Sequence, residues 1–333
     1  AWSEATGADE VCALFVIDPD LFDVVLPRRR AVLLAGLEDL DRSLSELGGR
    51  LRVERGDPRE VVPRVAEDLG VEVVHVNREI TPYGVERDRV IMESVDLEQA
   101  DGLYIQPPGS VRTEEGTIYQ VFSPFHRTWQ EMPMRQDPDP GETRVLSETG
   151  SGIPDGADAD VVGGESDALD RLAEFADDVG DYHEVRDRPD LDQTSRLSIA
   201  LKYGFVSPKR VYREMDGRSK GRQAFNRQLA WREFYAHLLY DNPEMPTRPL
   251  REKYSAMEWR DAPDELEAWK EGMTGYPFVD AGMRQLKEEG WLHNRVRLVV
   301  ASFLVKDLLI DWTEGERHFR RHLLDADVAQ NSG

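Results

Sequence analysis

The period of the hydrophobic pattern changes once along this chain, and that change is the strongest constraint on its fold. Across the first 125 residues, short β-rich runs alternate with stretches of helical spacing: a strand over Val11–Ile17, a helix over Arg28–Leu47, a strand over Leu51–Arg55, a helix over Arg59–Leu69 and a strand over Val71–Asn77. Strands that alternate with crossover helices predict a parallel, Rossmann-like α/β sheet. From about Met134 to Gly180 the composition turns to Asp, Gly, Pro and Glu, in MRQDPDPGE and SGIPDGADADVVGGE, with no sustained period; this predicts an acidic linker. Beyond it Gln223–Tyr240, Val279–Glu289 and Arg295–Ile310 place apolar residues three and four apart, which predicts an all-α domain. The expected division is therefore 1–130 α/β, 131–180 linker and 181–333 helical.

Several function classes lose support at once. Neither GxGxxG nor GxxxxGK[ST] occurs, which weighs against a dinucleotide enzyme or a P-loop enzyme. A single cysteine, Cys12, allows no intrachain disulfide, no thiolate zinc cage and no iron–sulfur cluster. His318 and His322 have a ligand-like i, i+4 spacing but lack the Glu of HExxH and are flanked by arginines, so no metal site is expected. No signal sequence or long apolar run is evident, so a cytoplasmic protein without a membrane partner is expected; it is also expected to be a monomer.

The formal charge of −23 argues at first against a nucleic-acid partner. Its distribution reverses that inference. Residues 1–180 hold 39 Asp and Glu against 17 Lys and Arg, whereas 181–333 hold 26 against 25, so the helical half is nearly neutral. All seven lysines lie beyond residue 200. An acidic surface poor in lysine reads as adaptation to high salt, with ordinary solubility charge as the alternative.

Five of the seven tryptophans, Trp231, Trp259, Trp269, Trp291 and Trp312, fall in the helical half. They fit either core packing or a stacking and redox surface beside a cofactor. In Trp291-Leu-His-Asn-Arg-Val-Arg297, Asn294 and Arg297 share a helix face. Arg297 is there either as an exposed helix-start residue or as the partner of a buried carboxylate such as Asp307, or of a phosphate.

Thr194-Ser-Arg-Leu-Ser198, Trp231-Arg-Glu-Phe-Tyr235, Thr274-Gly-Tyr-Pro-Phe-Val-Asp280, Trp291–Arg297 and Leu324-Asp-Ala-Asp327 occur in the order found in the cryptochrome/photolyase family, and the chain resembles the class I photolyases that act on cyclobutane pyrimidine dimers. The α/β half, with Val16-Ile-Asp-Pro19 and Gln106-Pro-Pro-Gly109, looks like that family's antenna domain. The resemblance implies an FAD in the helical domain facing a cavity for a dimer flipped out of damaged DNA, and light-driven electron transfer that splits the dimer. It assigns Thr194, Ser195, Arg196, Leu197 and Ser198 to the flavin phosphates, and Tyr182, Arg232, Trp291, Asn294, Arg297, Asp307, Asp325 and Asp327 to the flavin lining. Asn331 falls beside flavin N5. Trp231 matches the tryptophan on which the dimer stacks, Gln228 and Asn294 match positions that hydrogen-bond it, and Arg186 and Arg295 match phosphate contacts. Trp259 and Trp312 match the distal and middle members of the electron-transfer chain.

Gln228 stands where dimer-repairing relatives usually carry Glu, and it keeps (6-4) photolyase and cryptochrome photoreceptor readings as alternatives. Phe225 stands where Trp is frequent. Tyr83-Gly84 occupies the place of an Asn-Glu pair used by folate-binding relatives, which favours 8-hydroxy-5-deazaflavin over methenyltetrahydrofolate as antenna. The resemblance would continue past Asn331-Ser-Gly333 into a WxW segment and would begin before Ala1, so the chain is expected to be truncated at both ends.

Overall fold

The computed structural model describes residues 1–136, 141–156, 161 and 163–333. Parts of the two segments expected as linker, at 137–140, 157–160 and 162, lie outside the described residues. In the first half, Ala13–Ile17 runs parallel to Leu51–Arg55, with Ala13 opposite Leu51 and Ile17 opposite Arg55. Val74–Asn77 runs parallel to Leu97–Ala100, and Glu10–Val11 to Arg144–Val145. The crossover between the first two strands is the helix Pro27–Glu46, which buries Leu34, Leu37 and Leu44 against Ile17, Leu51 and Val53. The helix Pro58–Leu69 begins with Asp57 capping Arg59 N and ends on Gly70, whose φ of 64° suits a residue without a side chain.

The parallel α/β class holds, although the strands form separate pairs among the described residues. The strand expected from Val71 starts at Val74, because Gly70 turns the chain and leaves Val71 exposed. Leu97–Ala100 and the helix Pro82–Ile91 add elements for which the sequence showed no clear period.

Much of the expected linker is ordered into the two halves. Val145 is buried in the α/β core, and Val53 exchanges backbone hydrogen bonds with Thr149 and Ser151. Glu165–Asp178 forms a helix that buries Ala168, Leu172 and Ala176. From that helix onward all described regular elements are helical. The central one, Lys220–Asp241, is capped by Ser219 and packs Phe225, Leu229, Phe234 and Leu238 into a core that also takes Ile105, Val111, Phe122, Phe125 and Trp129 from the first half. The two halves thus share one core. A second helical core gathers Trp269, Met283, Leu292, Val300 and Phe319. The segment expected as one helix over Arg295–Ile310 is an α-helix, Asn294–Ser302, that widens into a π-turn at Phe303–Asp307. No described helix is long and apolar enough to cross a membrane.

Two arginines clamp the halves together a second time. Arg28 donates to the carbonyl of Glu288, and Arg29 to those of Arg320 and Leu323, so both sit at the carbonyl ends of helices Pro277–Glu289 and Trp312–His322. A cation there satisfies free carbonyls and complements the helix dipole. Arg29→Ala is expected to destabilise the protein by about 1.5–3 kcal/mol, the usual worth of hydrogen bonds from a charged donor. A lower urea midpoint would register it.

Candidate functional site

The segment Thr194–Ser198 does not act as a plain helix cap. The helix Ser198–Tyr203 has Leu197 at its N-cap with no side-chain cap, while Ser195 Oγ accepts from Leu197 N at 3.3 Å. Thr194 Oγ1 is buried without a hydrogen-bond partner. Two non-glycine residues take left-handed backbone here, Asp192 just before the segment at φ 46° and Arg196 within it at φ 49°. Such conformations cost energy and persist where the surroundings impose them. Here Arg196 makes paired bonds of 2.9 Å to Asp192 and lies over the Trp291 ring at 4.2 Å.

Beside this loop lies a cavity of about 410 Å³ lined by Phe175, Tyr182, Val185, Gln193, Thr194 and Ser195. Burial pushes the Tyr182 phenol up to about 12, so it stays protonated and can donate. Glu174, Asp178, Asp181 and Asp192 also line it, with Arg171 the one cation of the lining. Hydroxyl and backbone N–H donors, rather than net positive charge, would therefore have to hold an anionic group.

Arg297 meets a carboxylate, but not Asp307. Its Nη2 lies 3.1 and 3.3 Å from the two oxygens of buried Asp325, while Arg297 Nε is buried and unpartnered. Asp307 is exposed at the end of the π-turn, where the wider helix has rotated it away from the α-helical register. Asp327 caps the helix Val328–Ser332 by accepting from Gln330 N at 3.0 Å. Asn331 Nδ2 donates to the carbonyl and the carboxylate of Glu316 at 3.0 Å, and its Oδ1 is buried with no partner. Arg232 bridges the carbonyls of Leu103 and Leu201 and lies over Tyr104. Trp291 is buried, and Asn294 is exposed at the start of its helix.

The residues matched to DNA contacts divide. Arg186 and Arg295 come together at Asp187. Gln228 is half-buried and spends its amide on the carbonyl of Ala224. Trp231 is half-buried and stacks on Phe122, with ring centres 3.7 Å apart and planes 5° from parallel. One face of the indole is thus taken from within the chain. Trp259 and Trp312 are both half-buried, and the bond from Arg260 N to the carbonyl of Leu309 draws their segments together.

Reading the sequence missed Glu233 and Trp129. Glu233, in the motif Trp231–Tyr235, is fully buried and accepts from Trp129 Nε1 at 2.6 Å, from Gln106 N at 3.0 Å and from Ile105 N. Its carbonyl pairs with His237 Nδ1 at 2.8 Å, and Val111 N donates to His237 Nε2. Burial holds His237 neutral, down to about 4. The available signal was a charged residue on the apolar face of a long helix. In the α/β half, Tyr83 donates to Asp18, and Thr81 caps Gly84 N, so the pair Tyr83-Gly84 opens a helix. His318 and His322 have ring centres 4.4 Å apart, and burial holds His318 down to about 3.

An α/β half shares a core with a helical half, in which a loop with left-handed residues lines a cavity and Thr194 Oγ1, Arg297 Nε and Asn331 Oδ1 are buried without partners, a set of groups suited to a polar ligand. The family model for DNA photolyase matches residues 1–142, and that for the FAD binding domain of DNA photolyase matches 225–333. A deoxyribodipyrimidine photo-lyase of Halobacterium salinarum is 36% identical, over 97% of this chain and 73% of its own length. A bacterial class III photolyase from Agrobacterium tumefaciens has a TM-score of 0.88 at 32% identity, covering 98% of this chain and 73% of that one. An archaeal photolyase from Sulfolobus tokodaii, solved with two FAD molecules, has a TM-score of 0.86 at 29% identity, covering 100% of this chain and 77% of that one. The chain belongs to the DNA photolyase family and contains that family's FAD-binding domain.

Proposed function

We propose that this protein repairs cyclobutane pyrimidine dimers in DNA in a light-dependent reaction, acting as a cytoplasmic monomer. The observation that carries the reading is chemical: Thr194 Oγ1, Arg297 Nε and Asn331 Oδ1, from three segments matched to flavin contacts, are all buried and without partners. Buried polar atoms left unpaired are costly, so a ligand that satisfies them stabilises the fold. FAD fits that set of donors and acceptors, and when bound and reduced it would supply the photoexcited electron that opens the dimer.

The chain's own residues have separable tasks. Tyr182 and the hydroxyls and N–H groups of Thr194–Ser198 would hold the pyrophosphate; Arg297, fixed by Asp325, and Asn331, fixed by Glu316, would hydrogen-bond the flavin ring system. With its Nδ2 held by Glu316, Asn331 would present Oδ1 as an acceptor to an N–H of the ring. Asn294, exposed one turn from Leu298, would face the dimer. Phe122 fixes the plane of Trp231, whose uncovered part is offered to an extruded base. Gln228 can donate and accept there but supplies no carboxylic proton. Trp259 and Trp312 would relay electrons inward. The absence of the Asn-Glu pair at Tyr83-Gly84 supports a deazaflavin antenna over a folate.

The test is illumination of the reduced, FAD-loaded protein with an oligonucleotide carrying one cyclobutane thymine dimer, beside a dark control. Recovery of intact thymines in the light alone is expected. Flavin-loaded protein that leaves the dimer intact would overturn the repair reading and favour the photoreceptor alternative, and repair confined to a (6-4) photoproduct would overturn the substrate. Trp231→Ala is expected to weaken dark binding of the dimer duplex roughly 5- to 150-fold, the worth of one stacked base.

A further inference from the structure

Arg186 and Arg295 belong to segments more than a hundred residues apart, yet they meet on a single oxygen. Arg295 Nη2 donates to Asp187 Oδ1 at 2.8 Å, and Arg186 Nε lies 3.8 Å from the same atom. Arg295 stands in the first turn of the helix Asn294–Ser302, whose cap is His293 accepting from Arg295 N at 3.1 Å. A cation at a helix N-terminus is opposed by the helix dipole, so nothing in the helix itself favours Arg295 there. Asp187 and Arg295 are both exposed, at 52% and 44% of the side chain. Ion pairs of that exposure add little to folding. Their consequence lies in what this face offers a partner.

We propose that Asp187 is a built-in counter-ion for the two phosphate-contacting arginines and sets the salt dependence of DNA binding. The proposal rests on the reading of Arg186 and Arg295 as phosphate contacts. A guanidinium has five N–H donors. Asp187 engages Arg295 through one of them and Arg186 at longer range, so it gathers both without occupying the donors a phosphate needs. It does change the charge presented. With Asp187 in place the cluster carries a net +1 rather than +2, and the salt slope of binding falls with the number of phosphates effectively neutralised, about 0.9 per charge. The chain therefore gives up affinity in dilute salt and loses less of it as salt rises. In a chain of net charge −23 whose helical half is nearly neutral, Asp187 thus makes the hold of these arginines on a phosphate less sensitive to changes in salt.

The experiment is fluorescence anisotropy of labelled duplexes, with and without a cyclobutane dimer, titrated in the dark with the FAD-loaded protein from low to high KCl. Asp187→Asn is expected to bind both duplexes roughly 5- to 10-fold more tightly at the low-salt end, as removal of one unit charge a few ångströms from a phosphate requires. Its plot of log K against log salt should be steeper by about one, with the advantage vanishing at high salt. Asp187→Ser, which removes the charge with a different shape, should match it. An unchanged slope, or weaker binding in both variants, overturns the counter-ion. Arg295→Gln separates this from the underlying reading: it should weaken binding and flatten the slope. If Arg295→Gln changes neither, the phosphate contact itself is wrong; if it behaves as expected while the Asp187 variants do not, only the counter-ion fails.

Discussion

Replacing Glu233 by alanine should destabilise this protein by about 3–5 kcal/mol, since each buried N–H donor left unpaired costs about 1–3 kcal/mol. A domain's whole stability is about 5–15 kcal/mol, so the variant is expected to unfold at a much lower urea concentration, with loss of flavin. Three N–H donors would be orphaned at once, from Trp129, Gln106 and Ile105. Two of them are backbone groups of an irregular segment that packs into the shared core and has no sheet or helix ladder to satisfy it. Glu233→Gln keeps the shape and one acceptor but turns an amide NH₂ towards donors, so it should fall between wild type and Glu233→Ala.

The same residue gives stability a pH dependence. Burial raises the Glu233 carboxyl from the ordinary 4.5 to about 7, outweighing the three donors that favour its charged form. Between those values the folded protein binds more protons than the unfolded chain. Its stability therefore falls as pH rises from about 4.5 to 7, and this contribution is constant above that window. The total is on the order of 3 kcal/mol at one pKa unit per 1.36 kcal/mol. Urea midpoints measured from pH 5 to pH 8 should decline in wild type and lose that component in Glu233→Gln. Parallel profiles would show that Glu233 does not titrate there.

What the sequence displayed and what it hid follow from the same physics. Strands at Val11–Ile17 and Leu51–Arg55 were legible as short β-rich runs, and a helix over Gln223–Tyr240 by apolar residues three and four apart. The helix Glu165–Asp178 carries a helical signal at Ala168, Leu172 and Ala176, but its six acidic residues beside a Gly- and Asp-rich stretch masked it as linker. Arg297 was legible as a residue that needs a partner. Its partner was not, because a π-turn that displaces Asp307 is a backbone event with no side-chain period. Glu233 was hidden by distance: Trp129 lies 104 residues away, and only the folded chain brings them together. Phe122 is concealed similarly, being one apolar residue among several until it stacks on Trp231.

The partner that Arg297 did acquire supports the second large effect. Asp325→Ala should destabilise the protein by about 2–3 kcal/mol, below the range for a fully buried pair because Arg297 keeps a fifth of its side chain exposed. Loss of the carboxylate leaves a guanidinium with its Nε already unpartnered and Nη2 newly so. If that were all, the pair would be structural. Replacing both members by neutral groups removes the uncompensated charge, so the double variant Arg297→Ala with Asp325→Ala should be no less stable than Asp325→Ala alone. Flavin retention should follow the opposite rule. A cofactor that takes its hydrogen bonds from Arg297 is lost from the double variant however well it folds, and the ratio of absorbance at the flavin band to that at 280 nm after gel filtration reads that loss directly. Stability recovered with flavin still missing is the expected result. A stable double variant that keeps its full flavin complement would place Arg297 and Asp325 outside the cofactor's reach.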